Sequence, residues 1–286
     1  MKYAIGIVTY HPDHQRLKEN VEAAEAQAGA GPIIIVDNGS EDPSVLRALN
    51  SISPNIILIE NNENKGIACA LNQIFQEAKA LGCDWVVTLD QDSVMQPDTL
   101  SEYSLYTDRT EVGIICPRIE DRHLGRLHTQ NDHGTELIGH CITAGNLVRL
   151  KAWESVGGFT EELFIDGVDF DFCLKLHEGG WQILRTNNVC LIQEIGHGRR
   201  IPLPHHHQIS ILSHSPLRLY YITRNYLYIG RRHHQQWHWT KEVAKRMLIV
   251  ACFEHDRWKK LGAMLKGIRH FFQGKTGNHQ DEQEIE

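Results

Sequence analysis

A doubly wound, mostly parallel α/β sheet with helices on both faces, followed by a helical C-terminal extension, is the fold class that these 286 residues predict. Three observations point there. Short apolar runs with little polar alternation, such as residues 33–36 and 85–89, suit strands buried on both faces. Amphipathic stretches at helical spacing lie between them, and strands alternating with helices imply parallel pairing. Beyond about residue 200 the strand signals give way to aromatic-rich and basic helical ones, so a main domain is expected over 1–200 and an extension with a frayed tail over 201–286.

The first apolar strand covers residues 3–9. Residues 17–28 then place Leu17, Val21, Ala24 and Ala28 on one helical face. After Pro32, residues 33–36 form a strand that stops at Asp37-Asn38-Gly39-Ser40. A short helix over 44–50 and a strand over 56–60 lead to a strong helix over 66–81, with Ala68, Leu71, Ile74, Phe75 and Ala78 at helical spacing. The next strand stops at Asp90-Gln91-Asp92. Downstream come a helix over 97–105, a strand over 112–117, and loops or a hairpin over 123–139. A strand over 141–148 is broken by Gly145, where another group should approach the backbone. A short helix over 153–157, a helix over 173–177 closed by Gly179-Gly180, and strands over 181–185 and 189–192 complete the main domain. Helices follow over 218–230 and as two segments within 240–272.

Composition excludes several classes. Hydrophobic residues make up 41% and charged residues 23%, an ordinary globular balance. The net charge of -7 gives no case for nucleic-acid binding. The first residues run straight into a strand without the features of an export signal, and no run of about 18 apolar residues occurs. Seven scattered cysteines without a CxxC pair fit reduced thiols, not a disulfide framework or structural zinc. A cytoplasmic setting is the expectation.

In an open parallel sheet, ligands sit beyond the carboxyl ends of the strands. Three such ends are polar here, Thr9-Tyr10, Asp37-Asn38 and Asp90-Gln91-Asp92, and should converge on one crevice. On an extended backbone residues two apart face the same way, which would set the Asp90 and Asp92 carboxylates side by side. Two such charges are costly without a cation between them. Mg²⁺ or Mn²⁺, which take oxygen ligands and bind phosphates, suit them; a solvated turn is the alternative. A second acidic group, Asp166, Asp169 and Asp171, stands where a helix begins. It suits capping of the helix N-terminus, or a general base that takes a proton from a hydroxyl. A metal site and a separate base together describe displacement of a diphosphate by a hydroxyl at an anomeric carbon, with inversion.

The stretches Ile7-Val8-Thr9-Tyr10, Val36-Asp37-Asn38-Gly39-Ser40, Asn62-Glu63-Asn64-Lys65-Gly66-Ile67-Ala68 with Asn72, and Leu89-Asp90-Gln91-Asp92 resemble the family 2 inverting glycosyltransferases of GT-A fold. Gly157-Gly158-Phe159, the run Phe164-Ile165-Asp166-Gly167-Val168-Asp169, and Arg218-Leu219-Tyr220-Tyr221-Ile222-Thr223-Arg224-Asn225 are similar to its rhamnosyltransferase branch. The resemblance spans roughly residues 3–230. It implies a nucleotide-binding half over about 1–95 and an acceptor half over about 96–200. Thr9, Tyr10, Asp37, Asn38, Gly66, Asn72, Asp90 and Gln91 then belong to the donor pocket. Asp92 is implied as the direct metal ligand, with Asp90 turned partly toward the nucleotide sugar. Asp169 aligns with the catalytic base, Asp171 with its supporting carboxylate, and Asp166 with a second candidate that contacts donor or acceptor. Relatives commonly complete the metal site with a histidine where Gln193 stands here; His197 is the nearest histidine and the candidate third ligand.

The implied donor is dTDP-rhamnose, with UDP-galactose or UDP-N-acetylhexosamine as the alternative within the class. The implied acceptor is a glycan or lipid-linked glycan of the bacterial cell surface. Nucleotidyl transfer would need a Gly-rich loop with a basic residue after the first strand, where Thr9-Tyr10-His11-Pro12 stands instead. A non-catalytic nucleotide-sugar-binding protein is the third reading, and the intact acidic motif weighs against it. Between residues 240 and 275, nine basic residues against three acidic ones give a local charge of +6. Trp258, Leu261, Leu265, Ile268 and Phe272 fall on one helical face there. Such a stripe packs on the main domain or forms a homodimer interface; beside positive charge it also suits an anionic membrane surface. His205-His206-His207 reads as a solvated loop.

Overall fold

Three strands, β1 (Tyr3–Thr9), β2 (Ile33–Asp37) and β4 (Trp85–Asp90), form the centre of the sheet because nearly every residue in them is buried. They pair in parallel, with β3 (Ile56–Glu60) beyond β2. This computed structural model describes residues 2–27, 31–42, 46–47, 53–121, 125–126, 133–193, 198–202 and 208–279. The remaining strands are β5 (Val112–Asp121), β6 (Gly125–Arg126), β7 (Thr135–Leu137), β8 (Asn146–Arg149), β9 (Gln182–Gln193), β10 (Gly198–Pro202) and β11 (Gln208–Leu212). The main sheet runs β3-β2-β1-β4-β8-β5-β9-β7, with β6 on β5, while β10 and β11 form a separate hairpin. Antiparallel β8 inserts between β4 and β5, so the parallel set ends at β4 and the sheet becomes mixed beyond it.

Two helices flank the parallel set in sequence. In α1 (His14–Glu25) the Asp13 side chain caps the first turn by accepting from Arg16 N. The helix therefore starts three residues before the expected Leu17, whose apolar face it keeps in Leu17, Val21 and Ala24. In α2 (Ile67–Ala80), Ala68, Leu71, Ile74, Phe75 and Ala78 are buried as expected, and Gly66 enters the helix at φ 86°. A Cβ on Gly6 would overlap the Ile74 side chain, so α2 lies close on β1 only because that strand position is glycine. Burial of Phe75, 0% exposed, contributes about 1.5–3 kcal/mol.

Several boundaries differ from expectation. The stretch 141–148 is a strand only from Asn146, since Gly145 turns at φ 79°. A Cβ there would come within 2.9 Å of Pro117, which is the close approach that glycine permits. The two strands expected over 181–192 are one, β9, whose pairing with β5 shifts register twice. Helix α3 (Thr99–Ser104) lies within the helix expected over 97–105, α4 (Leu150–Ser155) starts three residues before the expected 153–157, and α5 (Val168–Glu178) begins five residues before Cys173. Most of the helix expected over 44–50 lies outside the described residues.

The chain divides into two compact units: Met1–Thr160 with Asp169–Glu194, and Glu161–Val168 with Ile195–Glu286. The second is built on α6 (Pro216–Arg232), α7 (Gln236–Phe253) and α8 (Arg257–Phe272). Ser215 caps α6 and Pro216 fills its first turn. Asp256, left-handed at φ 53°, breaks α7 from α8. Of the apolar stripe on α8, Trp258 77%, Leu265 56% and Phe272 79% are exposed, while Leu261 and Ile268 are half-buried and Leu261 packs against Leu219, Val250 and Met264. The buried face is Lys260, Ala263, Met264, Gly267 and His270. Close approach decided this. A Cβ on Gly267 would lie 2.7 Å from the Tyr220 carbonyl, so α8 meets α6 through its small residues. Lys260 is tolerated inside because its Nζ donates to Glu254 Oε2 at 2.5 Å and to Ser213 Oγ at 3.0 Å. Among the described residues, no helix is long and apolar enough to cross a membrane.

Candidate active site

Register brings three polar strand ends together. Thr9 pairs with Asp37 and Val8 with Asp90, so the ends of β2, β1 and β4 stand side by side at one sheet edge. At about 4.8 Å per strand, the row spans about 10 Å.

Each end is tied to its neighbour. Asp37, 2% exposed, accepts from Thr9 Oγ1 at 3.2 Å, Ser40 Oγ at 2.6 Å and Ser40 N at 3.0 Å. Ser40 Oγ in turn accepts from His11 N at 2.9 Å. Gln91 Oε1 accepts from Tyr10 N at 2.9 Å, stitching the end of β1 to the turn after β4. Asn38 anchors the segment before α2: its Nδ2 donates to Asn64 Oδ1, and its Oδ1 accepts from Asn61 Nδ2 and Lys65 N. Asn64 Oδ1 also accepts from Gly66 N, and Asn61 exchanges amide hydrogen bonds with Gln73. The edge is thus held by a mesh of neutral amides and hydroxyls around one buried carboxylate. Tyr10, 45% exposed, is open to a ligand.

The extended backbone from which the Asp90 and Asp92 pairing was expected does not reach Asp92. β4 ends at Asp90, and Ser93 N donates to the Asp90 carbonyl at 3.1 Å, closing a turn over Gln91 and Asp92. The two-residue alternation of a strand therefore stops before Asp92. Both aspartates are half-buried. Asn20 of α1, 0% exposed, donates to the Asp90 carbonyl at 2.7 Å and holds the turn's start. Among the described residues, no group of three His, Cys, Asp or Glu side chains is gathered for a metal. His197, like His205, His206 and His207, lies outside the described residues.

The second acidic group stands where a helix begins: Asp169 and Asp171 sit in the first turn of α5. Residues two apart on a helix diverge by about 200°. Asp169 stays half-exposed, its Oδ1 accepting from Phe170 N at 2.9 Å. Asp171 is 0% exposed and accepts from Thr160 Oγ1 at 2.5 Å. Buried Lys175 lies beside Thr160 and donates to the Gly158 carbonyl. Asp166 belongs to the other compact unit, where Arg218 grips it with Nη2 on Oδ1 at 2.5 Å and Nε on Oδ2 at 3.3 Å.

Asn72 is spent on bracing. Its Nδ2 donates to the Phe159 carbonyl, and its Oδ1 accepts from Phe159 N at 2.9 Å and Trp153 Nε1 at 3.1 Å. Gly158 makes this possible: at φ 69°, a Cβ would sit 2.8 Å from that Oδ1. Nearby, the Cys141 and Cys173 sulfurs are 4.0 Å apart. The Cys173 thiol is pushed well up by its contact with Cys141 and by burial, which leaves it a poor nucleophile. Two contributors escaped the sequence reading. Ser40 was visible as an Asp-x-x-Ser turn; Asn20 was visible as a lone polar residue on an apolar helical face.

Known proteins define the class to which this arrangement belongs. The sequence profile of Glycosyl transferase family 2 matches residues 4–169, more than half of the chain. The chain belongs to glycosyl transferase family 2 and is a glycosyltransferase. It is 27% identical over 247 residues to the dTDP-rhamnosyl transferase RfbF of Shigella flexneri, covering 81% of this chain and 80% of that protein. Among solved structures, it is similar to S. aureus TarS 1-349 in complex with UDP-GlcNAc, at TM-score 0.65 and 13% identity over 96% of this chain and 82% of that one. It is also similar to the mannosyltransferase PcManGT of Pyrobaculum calidifontis, in complex with GDP-Man and Mn²⁺. There the TM-score is 0.61 and identity 13%, over 96% and 88% of the two chains. The fold is the GT-A fold.

Proposed function

We propose that the chain transfers L-rhamnose from dTDP-rhamnose, with inversion, to a hydroxyl of a bacterial cell-surface polysaccharide precursor. The observation that carries this reading is the row of Asp37, Thr9 and Asp90 at one edge of parallel strands, in a chain 27% identical to a dTDP-rhamnosyl transferase. The Thr9–Asp37–Ser40 mesh and the amide-held segment ahead of Gly66 frame the nucleotide, with Tyr10 against it. Asp90 and Asp92 offer the hard oxygen donors that Mg²⁺ or Mn²⁺ takes, leaving other positions for diphosphate oxygens and water. Bound there, the ion would offset the charge on the leaving diphosphate. Asp169, half-exposed, takes the proton from the acceptor hydroxyl. The hydroxyl oxygen forms its bond to the anomeric carbon as the bond from that carbon to the diphosphate breaks, and dTDP leaves with the electron pair. Asp171, bonded to Thr160 Oγ1, supports the first turn of the helix that carries Asp169. Asp166, held by Arg218, serves the framework.

The test is a thermal-shift panel of dTDP-rhamnose, UDP-galactose, UDP-N-acetylhexosamine and GDP-mannose, each with and without Mn²⁺. A ligand bound only to the native state raises the transition by mass action, by about 2.7 kcal/mol at 100 times its Kd. dTDP-rhamnose with Mn²⁺ is expected to stabilise most, and Asp92→Ala to lose the Mn²⁺-dependent part. Equal stabilisation of Asp92→Ala with and without Mn²⁺ removes the metal assignment; a larger shift with a UDP-sugar replaces the donor.

We also propose that the second unit contacts an anionic membrane from the cytoplasmic side. Exposed Trp237, Trp258, Leu265 and Phe272 among the basic residues of α7 and α8 support this. Vesicles containing anionic lipid should co-sediment with the protein, and Trp258→Ser with Phe272→Ser should release it. Equal sedimentation with neutral vesicles overturns the proposal.

A further inference from the structure

Helix α6 carries a row of side chains that no step of the proposed reaction uses. Arg218, Tyr221, Asn225 and Ile229 recur at three- and four-residue spacing, so they share one helical face. That face meets residues 162–167. The two hydrogens of Asn225 Nδ2 are shared among three carbonyls of one short segment, those of Leu163 at 2.8 Å, Ile165 at 2.7 Å and Asp166 at 2.8 Å. Its Oδ1 accepts from Arg224 Nε at 3.0 Å. Arg224, 2% exposed, places its guanidinium over the Tyr220 and Tyr221 rings and donates to the carbonyls of Leu163 at 3.3 Å and Gly277 at 2.8 Å. Phe164 stacks on Tyr221 with centroids 5.4 Å apart.

The segment so held is an unfavourable one. Phe164 at φ 65° and Asp166 at φ 62° are both left-handed without being glycine, and Gly167 follows at φ 83°. A Cβ on Gly167 would lie 2.9 Å from Ile229 Cδ1, so the segment rests directly on α6. Such a path persists only where surrounding contacts over-determine it. One residue, Val168, separates it from Asp169, and both belong to the first turn of α5.

We propose that Asn225 and Arg224 are positioning residues for Asp169: they hold the left-handed segment from which the helix bearing the base departs. This rests on the reading of Asp169 as the base. The amide of Asn225 is the key donor, because one side chain gathers three carbonyls that a relaxed loop would turn to solvent. Arg224 fixes the rotamer of that amide and supplies a charge held by carbonyls and aromatic faces.

The test compares wild type, Asn225→Asp, Asn225→Gln, Val250→Ala and Asp169→Asn, following dTDP release from dTDP-rhamnose with a panel of alkyl glycosides as acceptors. Asn225→Asp keeps the shape and removes the donors, Asn225→Gln keeps the donors, and Val250→Ala lowers stability at a buried site away from the segment. Asn225→Asp is expected to lower kcat about 10- to 100-fold, the scale of an ångström misplacement, with the donor KM within about twofold of wild type. Asn225→Gln should recover part of the loss, and amides 164–170 of Asn225→Asp should exchange hydrogen faster. Val250→Ala should lower the melting temperature while leaving kcat unchanged below the transition. Wild-type kcat in Asn225→Asp overturns the proposal, as does a parallel loss in Val250→Ala or a loss carried by KM. If Asp169→Asn keeps its turnover, the reading of the base fails instead, whatever Asn225 does.

Discussion

Asp169→Asn is expected to keep its fold and its affinity for the sugar nucleotide and to lose about 10²–10⁴ in turnover. The amide oxygen can still accept from Phe170 N, the 2.9 Å bond that Asp169 Oδ1 makes in the first turn of α5, so the local structure has little cause to change. What is lost is the ability to take a proton. Turnover and donor affinity, measured on the same preparation, separate these effects: a fall in kcat with unchanged donor binding assigns the base, and near-normal kcat withdraws it. Asp171→Asn should behave differently. Its carboxylate is fully buried against Thr160 Oγ1, so its loss should lower the melting temperature along with activity.

The largest stability effect is expected in the C-terminal unit. Lys260→Met leaves Glu254 charged and buried without its partner, in a pair whose side chains are 9% and 2% exposed. Breaking such a pair from one side costs about 3–5 kcal/mol. Lys260→Met combined with Glu254→Leu should regain most of that, because two apolar groups of similar volume avoid the stranded charge. Urea unfolding of the single and double variants reads the difference directly. A single variant within about 1 kcal/mol of wild type would show that the pair is solvated in practice.

The parallel core was legible because strands and helices there follow their own periods. Buried β1, β2 and β4 read as apolar runs, and α2 showed its face at positions 68, 71, 74, 75 and 78. The rule of alternation does not carry across an element boundary: Asp92 lies past the end of β4 in a turn, whereas Asp169 and Asp171 lie inside a helix, where residues two apart diverge. Residue type showed where chemistry could occur; the backbone path, which depends on Asn20, Ser93 and Thr160, showed which carboxylate faces where. The inner face of α8 was hidden from the sequence for another reason. Hydrophobicity marks Trp258, Leu265 and Phe272 as a packing face, whereas the contact with α6 selects small residues such as Gly267. A paired Lys260 on the inner face has no signature in an apolar pattern.

Asn38 is followed by Gly39, the pair in which an asparagine side chain most readily closes on the next backbone nitrogen and ages to aspartate or isoaspartate. That reaction needs a side chain free to rotate. Here the amide is 3% exposed and bonded at both ends, to Asn64 on one side and to Asn61 and Lys65 on the other. Chemical ageing at this position is therefore confined to molecules in which the loop has opened. Shelf life at Asn38 becomes a readout of how often the sheet edge comes apart.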